Sequence, residues 1–382
     1  MTPEELFAQL RREPDVEAPD LVAVDATDRL LLDEAAPYLP GGPGTVVVVD
    51  DAYGALTLGA VTAGASGVRV SQDLLVGEQA LAANAGRTGL AGTYRSLPLD
   101  AGLFAGAGLV LAKAPRGLDA LRELTELTAA AADPDVVLLV GGRVKHMTLG
   151  MNDVLRAGFG EVSATLARQK SRVLVARGPR PDVRPTFPRC RRDADLGLDV
   201  CAHGAAFAGT RVDAGTRLLA SALAGAAPDA RTALDLGCGT GVLAASLARS
   251  RPGLAVTATD QSAAAVASAR ATLTRAGLER VAVQRDDAAA GVADGSVDLV
   301  VCNPPFHLGA AVVTAAADRL FAAAARVLRP GGELWAVYNN RLPHRAALRR
   351  LVGPTRVAAA DRRFTVTVST RPLTKVPGPG GR

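Results

Sequence analysis

Two short segments in the second half of the chain carry residue types and spacings that suit chemistry. The first reads Asp235-Leu-Gly-Cys-Gly-Thr-Gly241, and the second, further along, reads Asn303-Pro-Pro-Phe306. Closely spaced glycines let the backbone turn tightly against a ligand at the start of a helix. Their Gly-x-Gly-x-Gly spacing differs from the Gly-x-Gly-x-x-Gly of dinucleotide-binding folds. Together the two segments predict a nucleotide-cofactor loop and a site that grips a planar amine.

The chemistry of an exocyclic amine explains the residue types of the second segment. Such a nitrogen delocalises its lone pair into a ring or carbonyl, so it is a poor nucleophile. The Asn303 side-chain oxygen and the Pro304 carbonyl could accept its N–H groups and aim the lone pair. Phe306 would stack on the planar group, typically about 1–3 kcal/mol for a base on an aromatic ring. We therefore predict Asn303, Pro304 and Phe306 as catalytic residues; the alternative is that the prolines merely end a strand.

Acidic residues follow the neighbouring predicted strands. Asp260 lies where an acid commonly meets ribose hydroxyls, although a solvated loop aspartate would show the same pattern. Asp286 follows the segment from Val281 to Arg285 and could bond an adenine amine. Its neighbour Asp287 could equally fill that role, and one of the two is expected to be merely exposed.

A repeated order of elements positions these residues. The strand at 45–50 corresponds to the one at 232–235, the strand at 68–71 to the one at 256–260, and the segment at 138–146 to the one at 334–344. Strands that alternate with helices predict a doubly wound, mostly parallel α/β sheet with ligands outside the carboxyl ends of the strands. We predict a tandem duplication of a Rossmann-like fold in which a hairpin of the last two strands completes each copy.

The two predicted copies differ where chemistry would take place. The first copy has Asp51-Ala-Tyr-Gly54 in place of the spaced glycines, and Ser71 or Gln72 in place of Asp260. It has Lys113-Ala-Pro-Arg116 in place of the Asn-Pro-Pro-Phe segment. We therefore predict a degenerate copy at 1–185 and a catalytic copy at 186–382, with the boundary in a proline-rich stretch.

Charge is distributed unevenly along the chain. The net charge of +5 combines −11 over residues 1–135, +9 over 136–192 and +7 over 193–382. The basic junction is either a solvated linker or a track for the phosphates of a nucleic acid. On the second interpretation we predict RNA contacts at Arg177, Arg180, Arg184 and Arg189.

Composition excludes several classes of protein. No apolar run approaches the roughly 20 residues that a bilayer requires, and the first residues do not resemble a signal peptide, so a cytoplasmic protein is expected. The four cysteines show no CxxC spacing and no pairing with histidine. We therefore expect no metal site and no disulfide framework, with the cysteines as small buried residues.

These residues resemble the class I S-adenosylmethionine-dependent methyltransferases. The duplication together with Asn303-Pro-Pro-Phe-His307 is similar to the ribosomal RNA guanine-N2 methyltransferases, in which a degenerate methyltransferase-like domain precedes the active one. The resemblance implies that S-adenosylmethionine is held by residues of the glycine loop, of the two following strand ends and of a segment that precedes the first strand. Those residues are Asp235, Gly237, Gly239, Gly241, Asp260, Asp286, Asp213, Gly215 and Thr216.

The sequence thus predicts a monomeric methyltransferase that acts on the exocyclic N2 amine of a guanine in ribosomal RNA. The first copy and the junction arginines would bind the RNA. Methylation of a glutamine side-chain amide in a protein is the nearest enzymatic alternative, because it uses a similar Asn-Pro-Pro-aromatic site. A non-catalytic RNA-binding or assembly factor and a small-molecule methyltransferase are the others.

Overall fold

The chain folds into two units. This computed structural model describes residues 1–15, 21–39, 45–304 and 310–373, with the backbone alone at 310–314. Unit 1 comprises Met1–Phe187 and His203–Ala205, and unit 2 comprises Pro188–Ala202 and Ala206–Arg382. Each unit contains one seven-stranded sheet, and a two-stranded sheet lies in unit 2.

Unit 1 alternates strands and helices along the chain. Its helices are α1 (Pro3–Gln9), α2 (Ala26–Ala35), α3 (Ala55–Thr62), α4 (Leu75–Arg87), α5 (Ala101–Phe104), α6 (Leu118–Ala131) and α7 (Leu149–Gly158). Its strands are β1 (Thr45–Val49), β2 (Val68–Ser71), β3 (Tyr94–Ser96), β4 (Ala107–Lys113), β5 (Val137–Arg143), β6 (Phe159–Ala164) and β7 (Ser171–Pro179).

Unit 2 begins with a hairpin and then repeats the same plan. The hairpin strands are β8 (Arg189–Asp193) and β9 (Leu198–Ala202). The helices are α8 (Ala214–Ala222), α9 (Val242–Ser250), α10 (Ala263–Arg275), α11 (Ala310–Val327) and α12 (His344–Leu351). The sheet strands are β10 (Thr232–Leu236), β11 (Ala255–Asp260), β12 (Ala282–Arg285), β13 (Val297–Cys302), β14 (Leu328–Asn339), β15 (Thr355–Ala360) and β16 (Phe364–Thr370).

The two large sheets have the same strand order. It is β3-β2-β1-β4-β5-β7-β6 in unit 1 and β12-β11-β10-β13-β14-β16-β15 in unit 2. The first five strands of each sheet are parallel, and the last two pair antiparallel as a hairpin. The predicted duplication of a doubly wound α/β fold, with its closing hairpin, is confirmed.

Helices cover both faces of each sheet because the central strands are apolar on both sides. In β1, Val46 and Val48 pack into one hydrophobic cluster, whereas Val47 and Val49 pack into another on the opposite face. Such continuous apolar strands are typical of parallel sheets buried on both faces. Burial therefore fixes each sheet as a rigid layer, with the loops at the carboxyl ends of its strands left available for ligands.

The hairpin of unit 2 corrects one sequence-based expectation. Cys190 and Cys201 form a disulfide between β8 and β9, contrary to the expectation that no disulfide is present. The antiparallel register places the two residues directly opposite each other, with their Cα atoms 4.0 Å apart. The sequence concealed this pairing because it depends on the strand register. Cys238 and Cys302 are free and buried, as predicted.

The described residues contain neither a membrane-spanning helix nor a cluster of metal ligands. Within the residues that the structure describes, no helix is long and apolar enough to cross a membrane. In the same part of the chain, no group of three or more His, Cys, Asp or Glu side chains is arranged to hold a metal ion.

Candidate active site

The glycine loop of unit 2 connects β10 to α9. Gly237, Gly239 and Gly241 all have positive φ, at 75°, 53° and 77°. A Cβ atom at Gly237 or Gly239 would meet no atom of the described residues within 4 Å, so open space lies beside this part of the loop. Gly241 is the residue before α9, and a Cβ there would lie 3.0 Å from Ala269 of α10. The loop therefore leaves room for a ligand at the start of α9, where backbone N–H groups favour negatively charged or polar groups.

Asp235 supports this loop from inside the sheet. Its side chain is fully buried, and its Oδ2 accepts a hydrogen bond of 2.9 Å from the backbone N–H of Ala244 in α9. Its Oδ1 has no partner among the described residues. Burial raises the pKa of Asp235 to about 7, against the effect of the Ala244 bond and with a contribution from the charge of Asp260. Asp235 thus stabilises the start of α9 through Oδ2, and its Oδ1 can accept a further hydrogen bond.

Asp260 ends β11 beside the same loop. Its Oδ2 accepts a hydrogen bond of 3.0 Å from Gly239 N–H, and its Oδ1 accepts one of 2.9 Å from Ser262 N–H. Both bonds fix the carboxylate at the carboxyl end of the sheet. The next strand end carries Asp286, whose Oδ2 accepts a hydrogen bond of 3.0 Å from Gly291 N–H. Two acids therefore stand at consecutive strand ends beside the loop, where the sequence predicted ribose and adenine contacts.

Asn303 lies just after β13 and is held by the start of α8. Its Nδ2 donates to Asp213 Oδ2 at 3.2 Å and to Thr216 Oγ1 at 2.9 Å. Asp213 is the N-cap of α8, and its Oδ1 accepts from the backbone N–H groups of Gly215 and Thr216. The Thr216 hydroxyl also donates to Asp213 Oδ2. The segment 213–216 therefore clamps one side of the Asn303 amide.

This clamp decides the orientation of the Asn303 side chain. An ionised carboxylate accepts hydrogen bonds only, so the NH₂ group of Asn303 must face Asp213 and its oxygen must face away. That Oδ1 atom is buried and has no partner within the described part of the chain. A buried unpartnered acceptor costs about 1–3 kcal/mol. Asn303 thus presents an oriented acceptor that a ligand with an N–H group would satisfy.

The two buried thiols near the site, Cys238 and Cys302, are expected to be unreactive. Burial raises the pKa of Cys238 and of Cys302, and the charges of Asp235 and Asp260 raise both further. A protonated thiol is neither a good nucleophile nor a metal ligand. These cysteines pack the strands, as the sequence predicted.

Some predicted site residues lie beyond these observations. Phe306 and His307 fall outside the described residues, and Pro304 is buried at the end of the described segment. The roles predicted for the acids, the glycines and Thr216 in holding a cofactor stay predictions. Sequence reasoning placed Asp213 and Thr216 in the cofactor pocket but missed that they orient Asn303.

Unit 1 keeps the backbone of the loop but only one of its three glycines. Counting back from the residue before the helix, Asp50, Ala52 and Gly54 occupy the positions of the three glycines, and all have positive φ (57°, 65° and 98°). Asp51 has taken over the bracing role, because its carboxylate accepts from the N–H groups of Leu56 and Thr57 in α3. The strand position of Asp235 is held by a valine, Val48.

Side chains fill the remaining space beside that loop. Gln72 stands at the end of β2, where the register places the counterpart of Asp260. Its amide accepts from Ala52 N–H at 2.8 Å and donates to the Ala52 and Gly77 carbonyls, both at 3.2 Å. The neighbouring Tyr53 hydroxyl donates to Asp15, and Arg12 stacks over its ring. The loop of unit 1 is therefore tied to its own chain.

The counterpart of Asn303 in unit 1 is a lysine. Lys113 ends β4 and forms ion pairs with Asp28 (2.6 Å) and with Asp25 (3.4 Å), the N-cap residue of α2. Burial lowers the pKa of Lys113, but the two carboxylates outweigh burial and raise it overall. A cation locked between two acids cannot accept an N–H group. The degeneracy of the first copy stays a prediction, and the lysine at this position is an observation that supports it.

The predicted RNA-binding arginines lie at the end of β7, in the segment that follows it and at the start of β8. Arg177 in β7 donates to the hydroxyl of Tyr38 and lies over the ring of that residue. Arg180 donates to the Arg156 carbonyl at 3.0 Å. Both line a cleft of about 420 Å³ beside β6. Arg184 donates to carbonyls of its own loop, and Arg189 is the first residue of β8.

Comparison with known families assigns both units. The family model described as the methyltransferase small domain matches residues 197–368, and the one described as the RLMG N-terminal domain matches residues 1–180. Ribosomal RNA large subunit methyltransferase G of Pseudomonas aeruginosa (strain UCBPP-PA14) is 36% identical over 94% of this chain and 97% of its own length. The protein of the same name from Streptomyces coelicolor is also 36% identical, over 94% of this chain and 96% of its own.

A solved structure shares the whole two-unit fold. The T. thermophilus 16S rRNA methyltransferase RsmC, in complex with AdoMet and guanosine, superimposes with a TM-score of 0.75. The alignment covers 91% of this chain and 92% of that one, at 22% identity. At this identity the likeness establishes the fold.

Proposed function

Because the chain belongs to the family of the large-subunit ribosomal RNA methyltransferases G, we propose that it transfers a methyl group to the exocyclic N2 amine of a guanine in ribosomal RNA. Membership rests on the relatives that are 36% identical over nearly the full length of the chain. The names of those relatives point to the RNA of the large ribosomal subunit. The resemblance inferred from the sequence is thereby confirmed at the level of the family.

The Asn303 amide carries the proposal. Its Oδ1 is buried and unpartnered among the described residues, and its NH₂ group is held by Asp213 and Thr216. An N–H group of a guanine amine would satisfy that oxygen and would turn the nitrogen lone pair towards the methyl donor. Holding the reacting atoms in line accounts for much of the rate of such a displacement. The alkylated amine then loses its extra proton to solvent.

The loop side of the site fits S-adenosylmethionine. When bound, this cofactor supplies a methyl group on a positively charged sulfur. The open space beside Gly237 and Gly239 would hold its amino-acid end, and Asp260 and Asp286 would bind its ribose and adenine. Two carboxylates near the loop, Asp235 and Asp260, also suit a ligand that carries positive charge. Transfer neutralises the sulfur, because the carbon–sulfur bond breaks as the carbon–nitrogen bond forms.

The proposal is tested by the product. Purified protein incubated with labelled S-adenosylmethionine and large-subunit ribosomal RNA is expected to yield N2-methylguanosine, detected by mass spectrometry of the digested nucleosides. Unmethylated RNA from a strain that lacks the enzyme is the substrate, and assembled subunits are tested beside it. Label that enters only a glutamine side chain of a protein would establish the alternative chemistry, and no transfer to any acceptor would leave a non-catalytic RNA-binding protein.

The junction arginines are proposed to contact the RNA backbone. Arg177 donates to the Tyr38 hydroxyl, and Arg180 and Arg184 donate to backbone carbonyls. Because these acceptors are neutral, the hydrogen bonds do not neutralise the positive charge of the three arginines. Replacing these three and Arg189 together by serine is expected to flatten the slope of log K against log salt by up to about 3. S-adenosylmethionine affinity should not change. An unaltered RNA affinity and slope would show that the junction is only a linker.

The proposed substrate also bears on where the protein works, on its oligomeric state and on how the target guanine reaches the site. An enzyme of ribosomal RNA works where ribosomes are assembled, so we assign the protein to the cytoplasm. We also propose that it acts as a monomer, because the residues predicted to hold the cofactor and the target amine all belong to one unit of a single chain. A guanine inside structured RNA would have to be swung out of its stack to reach Asn303.

A further inference from the structure

Three segments at one edge of the unit 1 sheet are basic and contain no acidic residue. They are residues 114–118 after β4, 141–150 at the end of β5 and 166–172 before and at the start of β7, and we call these three segments the basic edge. They contain six Lys or Arg residues and no Asp or Glu. The pairing of Arg143 with Ser171, and the hydrogen bond from Ala114 N–H to the Gly141 carbonyl, bring the segments together.

Most of these cations lack a partner. Arg168 pairs with Asp33 and Glu34. Within the described residues, the other five (Arg116, Arg143, Lys145, Lys170 and Arg172) have neither an ion pair nor a side-chain hydrogen bond. The Nε atoms of Arg143 and Arg172 are even buried without a partner. Elsewhere in unit 1, cations such as Arg29, Arg87 and Arg122 face carboxylates. Five cations of the basic edge are thus left without a direct carboxylate partner among the described residues, although Asp33 and Glu34 neutralise Arg168.

A strained turn presents one of these cations. Arg168 and Ser171 exchange backbone hydrogen bonds of 2.9 and 2.8 Å, so Gln169 and Lys170 form a two-residue hairpin turn. Both have positive φ, at 46° and 62°. Such turns strongly favour Asn-Gly or similar residues, because a side chain in the left-handed region is strained. Strain of this kind persists only where the surrounding structure over-determines the conformation, and it clusters at functional sites.

Apolar side chains are exposed on the same edge. Leu149 and Leu166 are 84% and 88% exposed, and Val144 is 38% exposed. The edge also corresponds in unit 1 to the edge that carries Asn303 in unit 2, since Lys113 of β4 and Asn303 of β13 hold equivalent positions.

We propose that the basic edge of unit 1 is a docking surface for the RNA substrate. Its residues Arg116, Lys145 and Lys170 contact the phosphates of the RNA. This inference rests on the proposed function. Unpaired cations are the groups that phosphates neutralise, and planar guanidinium groups can also stack on unpaired bases. The surface lies at the opposite end of β7 from Arg177 and Arg180, because β7 begins at Ser171 and ends at Pro179. Unit 1 therefore retained the ligand-binding edge of its fold and uses it for a different ligand.

Charge removal tests the surface. The full chain carrying Arg116→Ser, Lys145→Ser and Lys170→Ser is compared with a control carrying Arg29→Ser, Arg87→Ser and Arg122→Ser. Binding to large-subunit ribosomal RNA is titrated over a range of salt concentrations, with S-adenosylmethionine affinity measured beside it. The first variant is expected to lose about 2 from the salt slope and at least tenfold in RNA affinity, with S-adenosylmethionine affinity unchanged. Equal behaviour of the two variants would overturn the proposal.

The strained turn supplies a second, independent test. Gln169→Gly and Lys170→Gly each remove a side chain from a left-handed position, so both are expected to raise the melting temperature, by about 2–4 °C. Only Lys170→Gly removes a charge, so only this variant is expected to weaken RNA binding. Equal RNA affinity of the two variants would show that the turn's charge is not used, and would overturn the role of Lys170.

The wild-type chain separates failure of the surface from failure of the function. If it neither binds nor methylates ribosomal RNA, the proposed function falls and the docking surface falls with it. If it does both while the surface variant matches the control, the docking surface alone is wrong.

Discussion

Asn303→Ala is expected to abolish methyl transfer while leaving S-adenosylmethionine affinity within about twofold of wild type. The substitution removes the one oriented acceptor for the target amine, and loss of a comparable positioned group costs about 10²–10³ in kcat. The neighbouring cofactor loop depends on hydrogen bonds from Gly239 and Ala244, which Asn303 does not make. Single-turnover methylation of ribosomal RNA measures the loss, and calorimetry measures cofactor binding.

A variant that only loosens the clamp is the control. Thr216→Val removes one of the two bonds to the Asn303 amide and leaves the one to Asp213. The amide should then be less well oriented, so kcat is expected to fall by about tenfold, roughly the loss of one neutral hydrogen bond. Near wild-type turnover of Asn303→Ala would show that another group holds the amine.

Asp260→Ala is expected to weaken S-adenosylmethionine binding by about ten- to hundredfold or more. Hydrogen bonds to a charged group contribute about 1.5–3 kcal/mol each, and every 1.4 kcal/mol is a factor of ten in affinity. The carboxylate also holds Gly239 in place, so its loss should relax the loop as well. Calorimetry gives both the affinity and the stoichiometry.

Gln72→Ala is the matched control for this substitution, since Gln72 occupies the equivalent strand end of unit 1. It should leave cofactor affinity unchanged. Wild-type protein should bind one S-adenosylmethionine per chain, because unit 1 has filled its loop. Two equivalents per chain, or a loss of affinity in the Gln72 variant, would contradict the degeneracy of unit 1.

The order of strands and helices was predictable from the amino-acid sequence, because apolar strands and helical stretches follow one another in the same order in both halves. The strand at 68–71 was located residue for residue, and the strand expected at 256–260 runs from Ala255 to Asp260. The exact ends of such elements differ by a residue or two, because local patterns report them weakly. The glycine spacing and the Asn-Pro-Pro segment were sufficient to locate both sides of the candidate site.

Contacts between distant segments were beyond such reasoning. The clamp that joins Asn303 to Asp213 and Thr216 spans 90 and 87 residues of sequence. The disulfide required knowledge of which residues face each other across β8 and β9. The ion pair of Lys113 with Asp28 likewise depends on α2 packing against its sheet. A signal was present in retrospect, since Asp25 and Asp213 each precede a helix at the same point of the repeat.

The backbone of the unit 1 loop records the ancestry of the molecule. Asp50 and Ala52 keep left-handed dihedral angles that unit 2 achieves with glycine. The left-handed conformation costs roughly 1–2 kcal/mol for a residue such as Ala52, so the side chain at that position does not itself select this path. We infer that the path was inherited from a glycine-containing ancestor and then held by Asp51 and Gln72 after the glycines were replaced. The backbone dihedral angles have therefore been kept although the glycines that favoured them were replaced. Common ancestry of such domains can thus be recognised from backbone geometry after the sequence motif has been lost.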